Sequence, residues 1–227
     1  MITDKWKQET VFTLIDKLQY FDYDQVLRRI HKTVKKPGIL VAGATGVGKS
    51  SLINHLFGME VAAEGNGKPV TDRVTRYEPE QHDVVLYDTR GYEIGDAKAQ
   101  QFYKEVIGFV KEANESDDVA RHIHLVWYCI SAANKRVTPM DLDLLGALNG
   151  LAKVCVVLTQ IDAATVVELK ELRETLAKKV PDLSVFAVSL DPRVPEGAVA
   201  WDGLLDWSMD HLESCLLYTS PSPRDRG

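Results

Sequence analysis

Five apolar runs occur along the chain between residues 39 and 188. Each is followed by a segment in which apolar residues recur at helical spacing. The runs are 39–42, 84–87, 123–130, 154–158 and 185–188. Runs of this length without polar alternation predict strands buried on both faces, as parallel sheets require. The more polar segment Arg73–Glu78 leads through a turn into the second run and predicts one further strand, in a hairpin. The pattern therefore predicts six strands.

Apolar residues recur at helical spacing in the connections between these runs. The segments are 51–57, 102–110, a helix that starts at Thr138 and Pro139, 165–179 and 201–212. Thr138 suits the N-cap of its helix and Pro139 the first helical position. Alternation of strand and helix predicts an α/β fold, a doubly wound, mostly parallel six-stranded sheet with its ligand at the carboxyl ends of the strands.

The first 36 residues have their own amphipathic pattern. Apolar residues recur at helical spacing and are interrupted around 21–24; they are Val11, Leu14, Ile15, Leu18, Val26, Leu27 and Ile30. We expect two short helices over 1–36, as an N-terminal helical extension to a domain spanning 37–214. The extension is either a structural collar or a contact for a partner. No signal peptide is expected, because Asp4, Lys5 and Lys7 precede any apolar region.

Composition narrows the class of protein. The chain has 227 residues, 45% of them apolar, and a net charge of −6, which favours one well-packed domain without the basic surface of a DNA-binding protein. Its three cysteines form no CxxC pattern, so Cys129 and Cys155 are expected in the core of a cytoplasmic protein. His122 and His124 are interpreted as structural. Residues 1–214 contain no apolar stretch of the roughly 18 residues that a membrane helix needs.

A glycine-rich motif directly follows the first apolar run. GATGVGKS at 43–50 lies between a predicted strand and a predicted helix, which is the context of a phosphate-binding P-loop. Its glycines let successive backbone N–H groups point at a phosphate, and the helix aims its positive dipole end at the same charge. Lys49 adds a charge on the β- and γ-phosphates. The Ser50 hydroxyl is placed to bind Mg²⁺.

Two further motifs stand at the ends of later strands. DTRG at 88–91 offers Asp88 to hold Mg²⁺ through water and the Gly91 N–H to contact a γ-phosphate. TQID at 159–162 ends in Asp162, whose carboxylate can accept from N1–H and N2–H of guanine. Adenine lacks this pair of donors, so Asp162 selects guanine.

Together the motifs resemble a known family. The ordered set is GATGVGKS (43–50), a threonine in the next loop, DTRG (88–91), TQID (159–162) and AVS (187–189). It resembles the translation-factor class of P-loop GTPases over residues 37–212. GATGVGKSSLINHLFG is similar to the Era/TrmE-like branch and to the neighbouring septin-like and immunity-related groups. The resemblance implies GTP or GDP binding with Mg²⁺, hydrolysis of GTP, and a nucleotide-controlled change in two loops.

The resemblance also implies roles for individual residues. The nucleotide would be bound by Gly43, Thr45, Gly46, Val47, Gly48, Lys49, Ser50, Ser51, Gly91, Thr159, Gln160, Asp162 and Ser189, the last through its backbone. The metal would be held by Ser50, Thr71 and, through water, Asp88, with Lys49 and Thr71 as the catalytic pair. Thr75 is the alternative to Thr71. Thr71 is preferred because Thr75 falls inside a predicted strand, where its side chain would be tied to the sheet.

Several positions depart from the family pattern. Thr159 and Gln160 replace the Asn and Lys of Asn-Lys-x-Asp, and Thr159 is shorter than Asn for reaching back to the P-loop, so weaker binding is expected. Tyr92 follows Gly91 where Ras-like members place the Gln that orients water. Potassium-assisted members carry Asn at the position of Gly46, so that route is not indicated.

Two functions fit these residues. One is a slow GTPase switch activated by a partner, a homodimer mate on the nucleotide face, or an inserted arginine; the candidates are Arg73, Arg76, Arg90 and Arg136. The other is a GTP-gated interaction module with negligible hydrolysis. Era-like relatives serve ribosomes and RNA, whereas septin-like and immunity-related relatives work at membranes, and the sequence leaves the partner open.

The last residues interrupt the helical pattern of 201–212. Residues 215–225 resemble the translation of a transposon-type adapter used in DNA sequencing libraries, so we interpret 215–227 as an artefact. The alternative is a natural Ser/Pro-rich tail. On the adapter interpretation the natural protein continues beyond Ser214, with an effector or membrane-associated region that is missing here.

Overall fold

A computed structural model of the chain describes residues 36–58, 68–71, 74–79, 82–92, 98–194 and 198–219. The seven strands are β1 (Gly38–Gly43), β2 (Lys68–Pro69), β3 (Val74–Tyr77), β4 (Val85–Thr89), β5 (Ile123–Ser131), β6 (Lys153–Thr159) and β7 (Ser184–Ala187). The five helices described are α1 (Lys49–Phe57), α2 (Lys98–Asn114), α3 (Pro139–Asn149), α4 (Val166–Lys179) and α5 (Trp201–Thr219). The predicted N-terminal helices of 1–36 lie outside the described residues, apart from Lys36.

One sheet contains all seven strands, in the order β2-β3-β4-β1-β5-β6-β7. β4, β1, β5, β6 and β7 run parallel to one another, and β3 and β2 add an antiparallel edge next to β4. The six predicted strands and the mostly parallel α/β fold are confirmed. The seventh strand, β2, has only two residues, too few to produce an apolar pattern in the sequence.

The sheet core follows the apolar runs. Every residue of β1 and β5 is buried, because helices cover both faces of these central strands. The buried indole of Trp127 in β5 donates to Ser208 Oγ of α5 at 3.0 Å, which satisfies a polar group inside the core. Cys129 and Cys155 are buried free thiols, as expected of small core residues. Burial raises the pKa of Cys129 to about 12.

Local capping chemistry sets two helix starts. Thr138 accepts from Asp141 N–H while the Asp141 side chain accepts from Thr138 N–H, with Pro139 at the first position of α3. Thr165 and Glu168 form the same box at the start of α4, which ends at the predicted Lys179. Both predicted starts are confirmed. Helix α5 continues to Thr219, beyond Ser214, and the adapter interpretation of 215–227 stays a prediction.

The two predicted structural histidines lie at the start of β5. His124 Nδ1 accepts from Gly38 N–H at 3.1 Å, which links β5 to β1, and His122 Nε2 is 2.7 Å from the Ser116 carbonyl oxygen. Across the described ranges, no group of three or more His, Cys, Asp or Glu residues is arranged to hold a metal. The structural interpretation of both histidines agrees with these contacts.

The strand order fixes where a ligand can bind. From β1 the chain moves first to the β4 side of the sheet and later to the β5 side, so the connections diverge at the carboxyl end of β1. Such a switch point leaves a crevice in a doubly wound sheet. Residues 43–50 lie in that crevice.

Candidate nucleotide site

The P-loop joins β1 to α1 through backbone conformations that glycine favours. Gly43, Gly46 and Gly48 have φ angles of 143°, 76° and 88°. A Cβ on Gly43 would lie 2.3 Å from the Cys129 carbonyl oxygen of β5, so this position has no room for a side chain. Gly48 is the N-cap of α1 and supplies no side-chain acceptor. The first N–H groups of the helix therefore stay directed toward the crevice, where they can bind an anion.

Lys49 is buried at the centre of this loop. Its Nζ donates to the Ala44 carbonyl at 2.8 Å and to the Gly43 carbonyl at 3.2 Å. Burial lowers the pKa of Lys49, and the nearby Asp88 carboxylate partly offsets that shift. Two carbonyls thus fix the amine in the position where the β- and γ-phosphates of a P-loop ligand lie.

Asp88 at the end of β4 completes the phosphate side of the site. Its Oδ2 accepts from Ser50 Oγ at 3.0 Å, and its Oδ1 is buried with no hydrogen-bond partner. Burial raises the pKa of Asp88, and the Ser50 hydrogen bond works against that shift. A hydroxyl beside a carboxylate with an unpaired oxygen is the donor set that a hard, hydrated cation such as Mg²⁺ uses beside phosphates. The residues fit the expected metal.

Gly91 and Tyr92 lie directly against the P-loop. Thr45 N–H donates to the Tyr92 carbonyl at 2.8 Å. A Cβ on Gly91, whose φ is 79°, would lie 2.7 Å from Thr45 N and 2.8 Å from Lys49 Nζ. The DTRG segment therefore approaches the phosphate-binding lysine closely, which only glycine permits at this position.

Thr71 and Thr75 lie in different cavities. Thr75 of β3 lines a cavity of about 470 Å³ with Lys49, Ser50 and Asp88, which we call the phosphate cavity. Thr71 borders another cavity, beside Arg76, Tyr87 and Phe109, and its Oγ1 accepts from Val74 N–H at 3.0 Å. The structure thus places Thr75 in the cavity that Lys49 lines and holds Thr71 in the turn before β3. The assignment of Thr71 to the metal stays a prediction.

The predicted arginines also separate. Arg90 is exposed and lines the phosphate cavity, whereas Arg76 forms a hydrogen-bonded ion pair with Glu78 at 3.0 Å. Arg136 is exposed in the loop before α3 and borders neither ligand cavity, and Arg73 lies outside the described residues. Of the three arginines that the structure describes, Arg90 lines the cavity that also holds Lys49, where it could contact the phosphates of a nucleotide bound to the same chain.

Another cavity, of about 230 Å³, adjoins the phosphate cavity on the other side of the P-loop, and we call it the base cavity. Asp162 and Ser189 line it, and Ser189 Oγ donates to Asp162 Oδ1 while accepting from Asp191 N–H at 3.0 Å. The Ser189 side chain therefore orients the Asp162 carboxylate, the predicted base selector, and this side-chain role was not predicted from the sequence. Trp201, at the start of α5, also lines this cavity, and its ring centroid lies 4.5 Å from that of His55.

Thr159 and Gln160 make the contacts to the P-loop that their departure from the family pattern had placed in doubt. Thr159 Oγ1 donates to the Val47 carbonyl at 2.6 Å, so the short side chain does reach the loop. Gln160 has a φ of 53°, accepts from Ser131 Oγ, and its Nε2 lies 3.5 Å from the Gly46 carbonyl oxygen. Thr159 reaches the P-loop because β6 ends close enough to the loop for a hydroxyl. The weaker binding expected from the shorter side chain stays a prediction.

Comparison with known proteins agrees with this geometry. Residues 38–161, more than half of the chain, match the family described as 50S ribosome-binding GTPase. The chain belongs to this GTPase family. It carries a P-loop GTPase domain, and the matched span includes β1, the P-loop and DTRG.

Several curated proteins that this chain resembles are septins. The chain is 26% identical to Septin-2 of Rattus norvegicus over 207 residues, which covers 79% of this chain and 57% of the relative. It is 29% identical to Septin-2 of Bos taurus over 204 residues, covering 78% and 55%, and 24% identical to neuronal-specific septin-3 of Mus musculus, covering 72% and 54%. The chain thus spans little more than half the length of these relatives.

Solved structures share the fold. A crystal structure of a probable GTP-binding protein engB matches with a TM-score of 0.58 at 19% identity, covering 78% of this chain and 99% of that one. Era in complex with MgGDPNP and nucleotides of 16S ribosomal RNA matches with a TM-score of 0.50 at 19% identity, covering 78% and 57%.

In the part of the chain that the structure describes, no helix is long and apolar enough to cross a membrane.

Proposed function

We propose that the protein binds GTP with Mg²⁺, hydrolyses it slowly to GDP, and uses the difference between the two states as a switch. The observation that carries this proposal is the junction of the two cavities. Gly48, Ser51 and Gln160 line both of them. Lys49 and Asp88 lie on the phosphate side of the junction and Asp162 on the base side. One nucleotide can therefore span the P-loop with its phosphates and base on opposite sides.

On the phosphate side of the site, the P-loop and a bound Mg²⁺ would neutralise the negative charge of the phosphates. The P-loop N–H groups and Lys49 would hold the phosphates, and Ser50 and Asp88 would hold Mg²⁺, with Asp88 acting through water. When bound, Mg²⁺ supplies positive charge that stabilises the phosphoryl oxygens during transfer. Thr71 is proposed to reach the metal only after its loop rearranges around a γ-phosphate, as ordered switch loops do.

Hydrolysis is proposed to be slow because the position after Gly91 offers no group to orient water. Tyr92 is 3% exposed, and its hydroxyl donates to Asp141. An arginine or another group from a partner would then supply the missing stabilisation, as arginine fingers do. Because the Tyr92 hydroxyl is engaged inside the protein, a GTP-gated interaction module with negligible hydrolysis is the second candidate.

The partners belong to the proposal as well. We propose self-association through the nucleotide face and a cytoplasmic location, with the ribosome or RNA and a membrane surface as the competing larger partners. The family description and the Era complex support the first of these. The P-loop sequence supports placement in the Era/TrmE-like branch, while the septin relatives support the neighbouring septin-like group. Binding to ribosomes and to liposomes, each with GTP and with GDP, separates these alternatives.

Base selectivity tests the core of the proposal. Labelled GDP is bound to the full chain in Mg²⁺ and displaced by unlabelled GTP, GDP or ATP. We expect GTP and GDP to displace the label while ATP does not, because only guanine presents two donors to the Asp162 carboxylate. Equal displacement by ATP and GTP would contradict the proposal.

A further inference from the structure

A buried carboxylate anchors the residue that follows DTRG. Tyr92 Oη donates to Asp141 Oδ1 at 2.6 Å, and Tyr128 Oη of β5 donates to the same oxygen at 2.9 Å. The other oxygen, Oδ2, accepts from Thr138 N–H at 2.8 Å and from Thr138 Oγ1 at 2.7 Å. All four groups come from within the chain, and Asp141 is 5% exposed.

This cluster has the properties of a rigid anchor. A carboxylate in an apolar core is tolerated when donors satisfy its oxygens, and here four hydrogen bonds do so. Burial, together with the Asp141 charge, raises the pKa values of Tyr92 and Tyr128. The hydroxyl protons therefore stay in place as donors at neutral pH.

The anchor connects directly to the phosphate cavity. The Tyr92 ring is held by Asp141, and the Tyr92 carbonyl accepts from Thr45 N–H of the P-loop. Gly91, one residue earlier, packs against Lys49 so closely that a Cβ would lie 2.8 Å from Nζ. Asp141 is also part of the capping box of α3. The DTRG segment is thereby tied to both the P-loop and the start of α3.

We propose that Asp141 is a positioning residue that, through the Tyr92 hydroxyl, holds Gly91 against Lys49 so that the segment is preorganised for the γ-phosphate. This inference rests on the proposed GTP binding. Preorganisation removes the cost of ordering the segment when GTP binds, and that cost is absent for GDP, which lacks the γ-phosphate. The anchor therefore favours GTP over GDP.

Tyr92→Phe and Tyr128→Phe form a matched pair. Each removes one hydroxyl from the same Asp141 oxygen inside the core, but only Tyr92 belongs to the segment that lies against the P-loop. We expect both variants to lower Tm to a similar extent. Tyr92→Phe should lower affinity for a non-hydrolysable GTP analogue relative to GDP by about five- to ten-fold, which lies within the range of one typical net hydrogen bond. Tyr128→Phe should leave this ratio unchanged.

Amide hydrogen exchange supplies a second readout that needs no nucleotide. In the full chain without ligand, Tyr92→Phe should increase exchange over residues 88–92, and Tyr128→Phe should not. Equal effects of the two variants on the affinity ratio, or no change in exchange at 88–92 in Tyr92→Phe, would overturn the inference. If the wild type binds no guanine nucleotide, the proposed function fails, and the exchange comparison still tests the anchor.

Discussion

Asp162 presents its carboxylate to the base cavity, held by the Ser189 hydroxyl. Asp162→Asn replaces one acceptor with a donor, so one guanine donor loses its partner. We expect affinity for GDP to fall at least about ten-fold, the cost of leaving one guanine donor without its acceptor. Affinity for xanthosine diphosphate should rise, because its C2 carbonyl accepts from the new amide. Competition binding measures both.

Asp191→Asn is the control, because this carboxylate lines the same cavity but forms an ion pair with Arg193. It should leave the order GDP over xanthosine diphosphate unchanged. An Asp162→Asn variant that keeps that order would show that another group reads the base.

Thr71 and Thr75 give the second prediction at this scale. Thr71→Ala should abolish hydrolysis and the GTP-specific shape while sparing GDP affinity, since the hydroxyl is needed only when the loop closes on a γ-phosphate. Single-turnover hydrolysis and GDP binding are the measurements. Thr75 already lines the phosphate cavity, so Thr75→Ala is the comparison. The assignment of Thr71 is wrong if Thr75→Ala has this effect and Thr71→Ala does not.

His124 predicts a pH dependence of stability. Burial first, and then the neighbouring His122, lower the pKa of His124 in the folded state. Below about pH 6.5 the unfolded chain therefore takes up a proton that the folded chain resists, and stability falls as pH decreases, by at most about 1.4 kcal/mol per pH unit. Denaturant unfolding between pH 7.5 and 5.5 should show a smaller loss for His124→Gln than for the wild type. Equal losses in both proteins would assign the effect to other groups.

At the scale of elements, the two ligand cavities are assembled from the ends of separate strands and helices. The P-loop follows β1, Asp88 lies in β4, Thr159 ends β6, and Asp162 lies in the 3-10 turn after β6. The start of α5 contributes Trp201, whose ring lies beside His55 of α1. The base cavity thus joins elements from both ends of the domain.

Trp201 makes this arrangement observable. An indole that lines the base cavity changes environment when the cavity fills, so tryptophan fluorescence should change on GDP binding. We expect Trp201→Phe to remove most of that change while binding, followed by displacement of labelled GDP, persists. Trp127 is buried in the core, so Trp127→Phe is the comparison and should retain the change. Retention of the full signal in Trp201→Phe would place the base elsewhere.

At the scale of the molecule, the central question is what activates hydrolysis. If a second copy completes the site through the nucleotide face, the single-turnover rate should rise with protein concentration. A rate that is constant but measurable indicates activation by another partner or by a residue of the same chain. No hydrolysis at any concentration supports the interaction module. Arg90→Ala tests whether a residue of the same chain supports hydrolysis, because Arg90 lines the phosphate cavity.

Within the described residues, the amino-acid pattern alone predicted the order of the six longer strands and of the helices, two helix caps, and the motifs at 43–50, 88–91 and 159–162. These features are local, because apolar periodicity, capping chemistry and glycine-rich turns act over a few neighbouring residues. The two-residue strand β2 was missed because it is too short to carry a pattern.

Only the tertiary structure decided which distant side chains meet. Thr159 reaches Val47 across 112 positions, and Tyr92 reaches Asp141 across 49. No local pattern encodes such pairs, because each depends on how the sheet brings strand ends together and on which rotamers the surrounding core permits. The same packing placed Thr75, rather than Thr71, in the cavity that Lys49 lines, and placed Trp201 in the cavity that Asp162 lines. The motifs predict which residue types form the site, and tertiary packing sets the distances between them.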